Sequence, residues 1–333
     1  MATKMCITTT AKASLGDTFD FVNYYLNVGI SHIYLFFDDP KDRAIDVLSG
    51  YKKVTCFKCD SKHWKKLLSH NENSLHIEDR ENGLCLEERQ QLNANFGLSL
   101  ARKAGYNWIA HVDTDELVYF KNGINVDLSK FSRDVDVLRL PSMEAVPEKI
   151  NYQNNLREIS LFKNLGMISK FYYSNKRILQ KLIPYFKKNE GKLKVRTMYF
   201  NSNAAGKSIV SIKADIKNIG MHEPIANEGV ELASRYPGNI SLLHFECRSF
   251  EDWKKKWIKV CDNPSDTTGY EDGKFLFFDD FKIAYGKGDE KKIYNIYKEA
   301  YFIPAYKKNI LLSLGLLKRV RLNKKLFSNS EHL

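Results

Sequence analysis

Three carboxylates, Asp113, Asp115 and Glu116, stand within four residues directly after the apolar run at residues 108–112. Such a run predicts a short buried strand, and the side chains of a strand alternate between its two faces. We therefore expect Asp113 and Asp115 to share one face, about 7 Å apart. Carboxylates so placed favour a cation between them, and Mg²⁺ or Mn²⁺ prefers such oxygens and often shares them with substrate phosphates. The alternative is a polar strand exit that caps the next element.

An alternation of strands and helices leads up to the acidic stretch. Gly29 and Gly105 suit helix ends, and Asp17 is the expected cap of the first helix. This order predicts an α/β protein with a mainly parallel sheet flanked by helices, in which ligands bind beyond the carboxyl ends of the strands. The predicted strands are residues 5–10, 33–37, 53–59 and the run before Asp113, and the predicted helices are residues 19–27, 43–48 and 86–103.

The remaining segments are less regular. Residues 60–85 predict a polar loop with one helical turn at 64–68; its histidines could bind a metal or lie exposed. Residues 141–206 combine aromatic, basic and asparagine residues, which suits saccharides, nucleic acid or a small separate core. Further elements are predicted as strands at 135–140, 208–212 and 240–246, a helix at 250–260 with Trp253 and Trp257 on one face, and a basic amphipathic helix within 294–327.

Composition limits the class of protein. The chain has 333 residues, 43% of them apolar, which is enough for a sizeable core. No apolar run reaches the roughly 18 residues of a membrane span, and the start lacks a signal-peptide core, so we expect a cytoplasmic protein. The net charge of +12 favours nucleic acid, anionic membranes or phosphorylated ligands as partners. The basic tail could lie on the inner face of the membrane or pack on its own domain.

Residues 1–260 resemble the GT-A-fold glycosyltransferases, nearest to the family-2-like and family-92-like branch. The first loop departs from that branch, because Lys12-Ala13-Ser14 stands where the branch commonly has Lys-Asp-Glu. The segments that carry the resemblance, with the Asp-x-Asp-Glu motif as their centre, are residues 6–12, 21–29, 32–39, 88–91, 108–116, 206–210, 220–222 and 244–253.

The resemblance implies a GT-A (Rossmann-like) fold and a function. Residues 1–265 would form the catalytic domain, with a nucleotide-sugar-binding half at 1–120 and an acceptor-binding half at 121–265. Residues 266–333 would be a helical, basic C-terminal extension. The implied activity is hexosyl transfer from a nucleotide-sugar donor, a UDP-sugar by expectation, to a hydroxyl of a glycan or lipid-linked saccharide. Mn²⁺ or Mg²⁺ would assist, and the setting would be cell-surface polysaccharide or glycan synthesis.

The resemblance also implies roles for particular residues. Asp115 would bind the metal, and Asp113 would bind the metal, the donor ribose or the donor sugar. His222 is the expected third ligand and His244 its rival, although either could be an ordinary hydrogen-bonded histidine. Glu223 is the candidate base for an inverting reaction, with Glu144 and Glu190 as alternatives; a retaining reaction needs none. Donor contacts are expected from Thr8, Ala11, Asp38, Arg89, Asp113, Lys207 and Lys255.

Two other classes of function compete with this interpretation. A nucleotidyltransferase or phosphotransferase also uses paired aspartates and a metal, but it ordinarily carries a glycine-rich phosphate loop, which this sequence lacks. A basic, aromatic-rich nucleic-acid-binding protein would bind generic DNA or RNA in a salt-sensitive way. The glycosyltransferase interpretation predicts no nucleic-acid partner.

Overall fold

The computed structural model describes residues 3–69, 83–121, 128–131, 134–164, 206–246, 249–262 and 277–328. The chain forms two compact units. The first contains Met1–Leu140, Gly206–Leu242 and Asn323–Leu333, and the second contains Pro141–Ala205 and Leu243–Leu322. Each unit is therefore built from segments that are distant in sequence. The assignment of residues 1–120 to the donor and 121–265 to the acceptor stays a prediction.

Strands and helices alternate through the first part of the chain. The strands are β1 Met5–Ala11, β2 His32–Phe37, β3 Val54–Lys58, β4 Trp108–His111, β5 Glu116–Phe120, β6 Val137–Leu140, β7 Ser142–Ala145, β8 Leu161–Asn164, β9 Lys207–Ser211, β10 Ile216–Asn218, β11 Ile225–Ala226, β12 Ser234–Arg235, β13 Ile240–His244 and β14 Leu317–Arg319. The helices are α1 Leu15–Asn27, α2 Ala44–Leu48, α3 Ser61–Ser69, α4 Leu86–Lys103, α5 Asn155–Glu158, α6 Phe250–Asp262, α7 Phe278–Gly286, α8 Glu290–Tyr301 and α9 Ala305–Ser313.

One mixed sheet organises the first unit. Among the described residues it has seven strands in the order β12-β6-β9-β4-β1-β2-β3. Strands β4, β1, β2 and β3 are parallel neighbours, whereas β9 runs antiparallel between β4 and β6. The predicted α/β class with a mainly parallel sheet flanked by helices is confirmed. The carboxyl ends of β1, β2 and β4 consequently meet at one edge.

The predicted elements of the first hundred residues form with small shifts at their ends, and α4 has the predicted bounds. The predicted cap of α1 was wrong. Ser14 is the N-cap, since its Oγ accepts a hydrogen bond from the Asp17 backbone N–H at 3.2 Å, and Asp17 lies inside the first turn. Gly29, at φ 92°, ends this helix as expected. The single helical turn predicted at 64–68 is longer, a nine-residue α3.

Close packing holds α4 against β1. A Cβ placed on Gly97 would lie 2.3 Å from Thr8 Oγ1, so the helix approaches the strand at a distance that only glycine permits here. Thr8 is fully buried by this contact. On α1, the Tyr25 hydroxyl donates to the Glu116 backbone carbonyl at 3.0 Å and accepts from the Val118 N–H at 2.9 Å. The first contact fixes α4 against β1, and the hydrogen bonds of Tyr25 fix the start of β5.

The second unit contains the antiparallel strands β7, β8 and β14, with β8 in the centre. Its helices α6, α7 and α8 pack through a cluster of buried aromatic residues. Trp253 and Trp257 lie at the centre of this cluster, as their four-residue spacing predicted. The aromatic members on the neighbouring helices include Phe277, Phe281, Tyr297 and Tyr301.

The predicted basic amphipathic helix within 294–327 was wrong. Pro304 separates α8 from α9, and Gly315, at φ 68°, ends the helical stretch before β14. The apolar residues Leu311, Leu316, Leu317 and Val320 are buried, as expected for the alternative in which the tail packs on its own domain. Across the described residues, no helix combines the length and apolar character needed to cross a bilayer. The basic residues of this segment are thus distributed over two helices, a strand and a short final turn.

Candidate active site at the carboxyl edge of the first sheet

The acidic residues form a turn, named here the acidic turn (residues 113–116). Strand β4 ends at His111, and the chain turns before β5 starts at Glu116. The Glu116 N–H donates to the Asp113 carbonyl at 3.0 Å, and the Asp113 N–H donates to Glu116 Oε2 at 2.9 Å. The expectation that Asp113 and Asp115 share a strand face was therefore wrong, because strand alternation ends before either residue. The turn still lies beyond the carboxyl end of β4.

Lys207 supplies a positive charge inside this turn. Because β9 runs antiparallel to β4, its first residue lies beside the end of β4. The Lys207 Nζ donates to Asp113 Oδ2 at 2.9 Å and to the Met221 carbonyl at 3.0 Å, and it lies 3.5 Å from Glu116 Oε2. The side chain is only 1% exposed. The expected phosphate contact from Lys207 therefore stays a prediction, while its ammonium group contacts the acidic turn.

The charge state of Lys207 follows from two opposing effects. Burial alone would lower the pKa of its ammonium group. The negative charges of Asp113, Glu116 and Asp115, together with the hydrogen bond to Asp113, outweigh burial and raise that pKa above its ordinary value. Lys207 is therefore a permanent cation at neutral pH.

Gln90 completes the hydrogen bonding of Asp113. Its Nε2 donates to Asp113 Oδ1 at 2.9 Å from the first turns of α4. Both carboxylate oxygens of Asp113 thus accept hydrogen bonds, one from Gln90 and one from Lys207. Sequence reasoning assigned no role to Gln90, although the segment Glu88-Arg89-Gln90-Gln91 carried part of the resemblance. Its contact depends on the parallel placement of β4, which brings Asp113 to the start of α4.

Arg89, the preceding residue, holds the end of β2. Its Nε and Nη2 donate to the two oxygens of Asp38 at 2.7 and 3.0 Å, and its Nη1 donates to the Leu84 carbonyl. Lys12 adds an ion pair at 3.3 Å. Burial alone would raise the pKa of Asp38, but the hydrogen bonds and charges of Arg89 and Lys12 hold it below its ordinary value. Asp38 and Arg89, both predicted donor contacts, are brought together.

The segment after β10 approaches the acidic turn from the side of β9. At Gly220, at φ 68°, an added Cβ would overlap the Glu223 carbonyl oxygen, so glycine is required. His222 Nδ1 lies 2.9 Å from the Gly206 carbonyl, and the Ser208 hydroxyl donates to the His222 carbonyl. Together with the Lys207 bond to Met221, these contacts tie residues 220–222 to the start of β9.

His111, the last residue of β4, is buried beneath this edge. Burial, reinforced by the nearby charge of Lys207, lowers the pKa of His111 to about 4. Its Nδ1 lies 3.4 Å from the Gly220 carbonyl, and among the described residues its Nε2 has no hydrogen-bond partner. His111 is therefore neutral at physiological pH. Sequence reasoning gave it no role, since a histidine at the end of a buried strand has no distinguishing pattern.

The other predicted site residues are spread more widely. Glu223 is 49% exposed and pairs with Arg139 at 2.7 Å. Thr8 and Ala11 are buried within β1. His244 ends β13, and Lys255 lies exposed in the middle of α6; both belong to the second unit. Their roles stay predictions. Of the alternative bases, Glu144 is buried against Lys163, and Glu190 lies outside the described residues, as do His70 and His76.

The acidic turn offers carboxylate oxygens to a divalent cation but does not enclose one. Within the described ranges, no group of three His, Cys, Asp or Glu side chains is arranged to enclose a metal. The turn nevertheless offers the hard oxygen donors of Asp113 and Asp115, and Mg²⁺-type sites that share the ion with a phosphate substrate need only one or two carboxylates. The donor set suits a cation shared with a diphosphate rather than one held by protein alone.

The sequence of this chain is similar to those of two known proteins. Two Arabidopsis thaliana proteins named glycosyltransferase-like are 28% identical over 172 residues and 26% identical over 233 residues. These matches cover 48% and 66% of this chain but only 33% and 48% of the relatives, so the chain spans half or less of their length. No family model matches.

A solved structure gives a weaker likeness. The mannosyltransferase Ktr4p from S. cerevisiae matches 45% of this chain and 41% of that chain at 11% identity, with a TM-score of 0.23. This score is too low to bear on the fold. The two relatives therefore carry the similarity, and both are named for glycosyl transfer.

Proposed function

We propose that this protein transfers a glycosyl group from a nucleotide-diphosphate sugar to an acceptor hydroxyl. The observation that carries the proposal is the acidic turn at the carboxyl ends of the parallel strands. Its three carboxylates and the ammonium group of Lys207 together carry two net negative charges at the edge where α/β sheets bind ligands. The sequence similarity to proteins named glycosyltransferase-like supports the same activity.

The first sheet suggests a division of roles. Asp115 is the proposed ligand of Mn²⁺ or Mg²⁺. A divalent cation there would compensate the negative charge that develops on the leaving nucleoside diphosphate. Asp38, whose two carboxylate oxygens accept hydrogen bonds from Arg89, is proposed to bind the nucleoside at the end of β2. A UDP-sugar is the proposed donor, and a cell-surface glycan or lipid-linked saccharide is the proposed acceptor.

Two residues near the turn are proposed for the remaining roles. His222 is the proposed further ligand, because the contact of Nδ1 with the Gly206 carbonyl orients its ring, an arrangement common to histidine ligands. Glu223 is the proposed base of an inverting reaction, since its carboxylate is exposed and held by Arg139. A contact of Lys255 with the donor and binding of the metal by His244 are proposals as well.

The test is a thermal-shift series with UDP, GDP and CMP, each with and without Mn²⁺. We expect one nucleotide to stabilise the protein only when the metal is present, because ligands that bind the folded state raise its stability. The matching sugar nucleotides are then screened for release of the nucleotide in the presence of candidate acceptors.

Asp115→Asn is the site variant for this series, and Asp46→Asn, an exposed change on α2, is its matched control. The metal-dependent shift should vanish in the first and persist in the second. A protein indifferent to every nucleotide but stabilised by generic DNA or RNA at low salt would contradict the proposal and favour nucleic-acid binding.

A contact with the membrane surface is proposed through α9. Tyr306, Ile310 and Leu314 recur every four residues and are 65%, 40% and 41% exposed. Residues 304–322 contain five lysines and arginines and no acidic residue. Lys308 and Arg319 pair with Glu148, and the other three basic residues suit an anionic bilayer. Co-sedimentation with anionic vesicles should fall in Ile310→Ser and not in Ile283→Ser, a change on α7 at a residue that is still more exposed. Equal binding by both variants would contradict the proposal.

A further inference from the structure

Lys207 connects three segments of the chain. Its ammonium group bonds Asp113 in the acidic turn and the Met221 carbonyl, while its backbone begins β9. It also lies 3.5 Å from Glu116, whose carboxylate is itself bonded to the Asp113 N–H. The lysine therefore occupies the position between carboxylates in which a bound cation is expected.

The position of this ammonium group constrains a second cation. Asp113 Oδ2 already accepts from Lys207 at 2.9 Å, and Asp113 Oδ1 accepts from Gln90 at the same distance. A divalent ion drawn to the turn would meet repulsion from a fixed positive charge that water screens poorly, because the Lys207 side chain is 1% exposed. A diphosphate brings additional negative oxygens that offset this repulsion.

We propose that Lys207 is a built-in counter-ion that makes uptake of a divalent cation at the acidic turn depend on the nucleoside diphosphate. Without the nucleotide, the turn holds the ion weakly. With the nucleotide, phosphate oxygens and Asp115 hold the ion together, so donor and metal enter as a pair. This inference rests on the proposed function and assigns Lys207 a positioning and charge-balancing role rather than a chemical step.

The test measures binding of Mn²⁺ alone, through the electron paramagnetic resonance signal of the free ion, with and without the nucleotide identified above. In the natural protein we expect the nucleotide to tighten Mn²⁺ binding by about tenfold or more, equivalent to about 1.4 kcal/mol. In Lys207→Met we expect Mn²⁺ to bind about tenfold more tightly without nucleotide, and the effect of the nucleotide to shrink accordingly.

Three further variants separate charge from folding. Lys207→Arg keeps the positive charge and should retain the dependence on nucleotide. The double variant Lys207→Met with Glu116→Gln removes a buried cation and a buried anion together; it should fold where the single variant fails and still bind Mn²⁺ without nucleotide. Lys163→Met removes a buried lysine of the second unit and should leave Mn²⁺ binding unchanged.

The outcomes are distinguishable. If the natural protein shows nucleotide-dependent Mn²⁺ binding and both Lys207→Met and the double variant keep it, the inference is overturned and the proposed function stands. If the natural protein binds no Mn²⁺ with any nucleotide, the proposed function falls and this inference falls with it. Loss of all Mn²⁺ binding in the folded double variant would also overturn the inference, because Lys207 would then be needed for the ion rather than opposed to it.

Discussion

Two buried lysines contact carboxylates in the part of the chain that the structure describes, and their surroundings differ. In the second unit, Lys163 and Glu144 stand directly opposite each other on β8 and β7, with 2.5 Å between Nζ and Oε1. In the first unit, Lys207 faces Asp113 and Glu116 at the edge of a sheet, and the nearby charge of Asp115 helps to raise the pKa of its ammonium group. One pair has opposite charges on facing strands, while the other lies among several carboxylates.

The difference favours the acidic turn as the cluster that binds the proposed ligand. A buried ion pair across two strands satisfies both charges and contributes to a specific packing arrangement. A buried lysine among three carboxylates leaves net negative charge at a sheet edge, which is unfavourable for folding unless a ligand uses it. Perturbed and crowded charges of this kind concentrate at functional sites. The acidic turn thus stands out by its charge balance, since each of the two clusters contains a buried lysine.

The largest expected effect comes from Asp115→Asn. We expect nucleotide release from the donor sugar to fall by about 10²–10³-fold, because the metal would lose a carboxylate ligand at the leaving diphosphate. The measurement is steady-state turnover at saturating Mn²⁺. Glu144→Gln, the corresponding change in the second cluster, should cost stability and leave turnover per folded molecule unchanged. Turnover that survives in Asp115→Asn would remove the functional distinction between the two clusters.

Substituting each lysine by methionine should destabilise both units to a similar extent. Lys207→Met and Lys163→Met each leave a buried carboxylate without its lysine, a change that costs about 3–5 kcal/mol of unfolding free energy. Urea unfolding measures both losses. The two variants should nevertheless differ in their Mn²⁺ dependence. A negligible loss in Lys207→Met would mean that the lysine is less tightly held than its 1% exposure indicates.

Arg89→Lys tests whether the edge cluster at β2 also serves the ligand. A lysine keeps the charge but not the two-pronged contact with Asp38, so we expect the KM for the donor to rise about tenfold with kcat little changed. Initial-rate kinetics across donor concentrations give both parameters. Arg102→Lys, at the other end of α4, is the control and should resemble the natural protein. A fall in kcat alone would place Arg89 nearer to the reacting atoms than proposed.

The smallest effect is expected at the surface of the second unit. The hydrogen bonds of Arg319, followed by those of Lys308, lower the pKa of Glu148 from 4.5 to about 2. A lowered carboxylate pKa stabilises the fold above about pH 4.5, and that contribution is lost as the pH falls toward about 2. The stability difference between the natural protein and Glu148→Gln should therefore shrink on acidification, as followed by urea unfolding at several pH values.

The control for this comparison is Glu299→Gln, an exposed change on α8. Its stability difference from the natural protein should stay small and nearly constant over the same pH range. A difference for Glu148→Gln that is equally constant would show that the contacts with Arg319 and Lys308 are not maintained in solution.

Local patterns determined most of the first unit. Helix α4 has the bounds 86–103 that were predicted for it, with Gly105 just beyond its end, and β2 forms over the strand predicted at residues 33–37. The position of the acidic turn beyond β4 was also predictable, because parallel strands share one carboxyl edge. Each of these features depends on residues that are near neighbours in the chain, so the sequence records them directly.

Only the tertiary structure decided how the charges meet. The bond between Lys207 and Asp113 joins residues 94 positions apart, and it exists because β9 enters the sheet antiparallel beside β4. No periodicity in the sequence encodes that neighbour. The tail shows the same limit, since its apolar residues are buried around Gly315 and β14 instead of along one helix face. Local spacing predicts elements, whereas the partner of each charge depends on which strands and helices become neighbours in the folded chain.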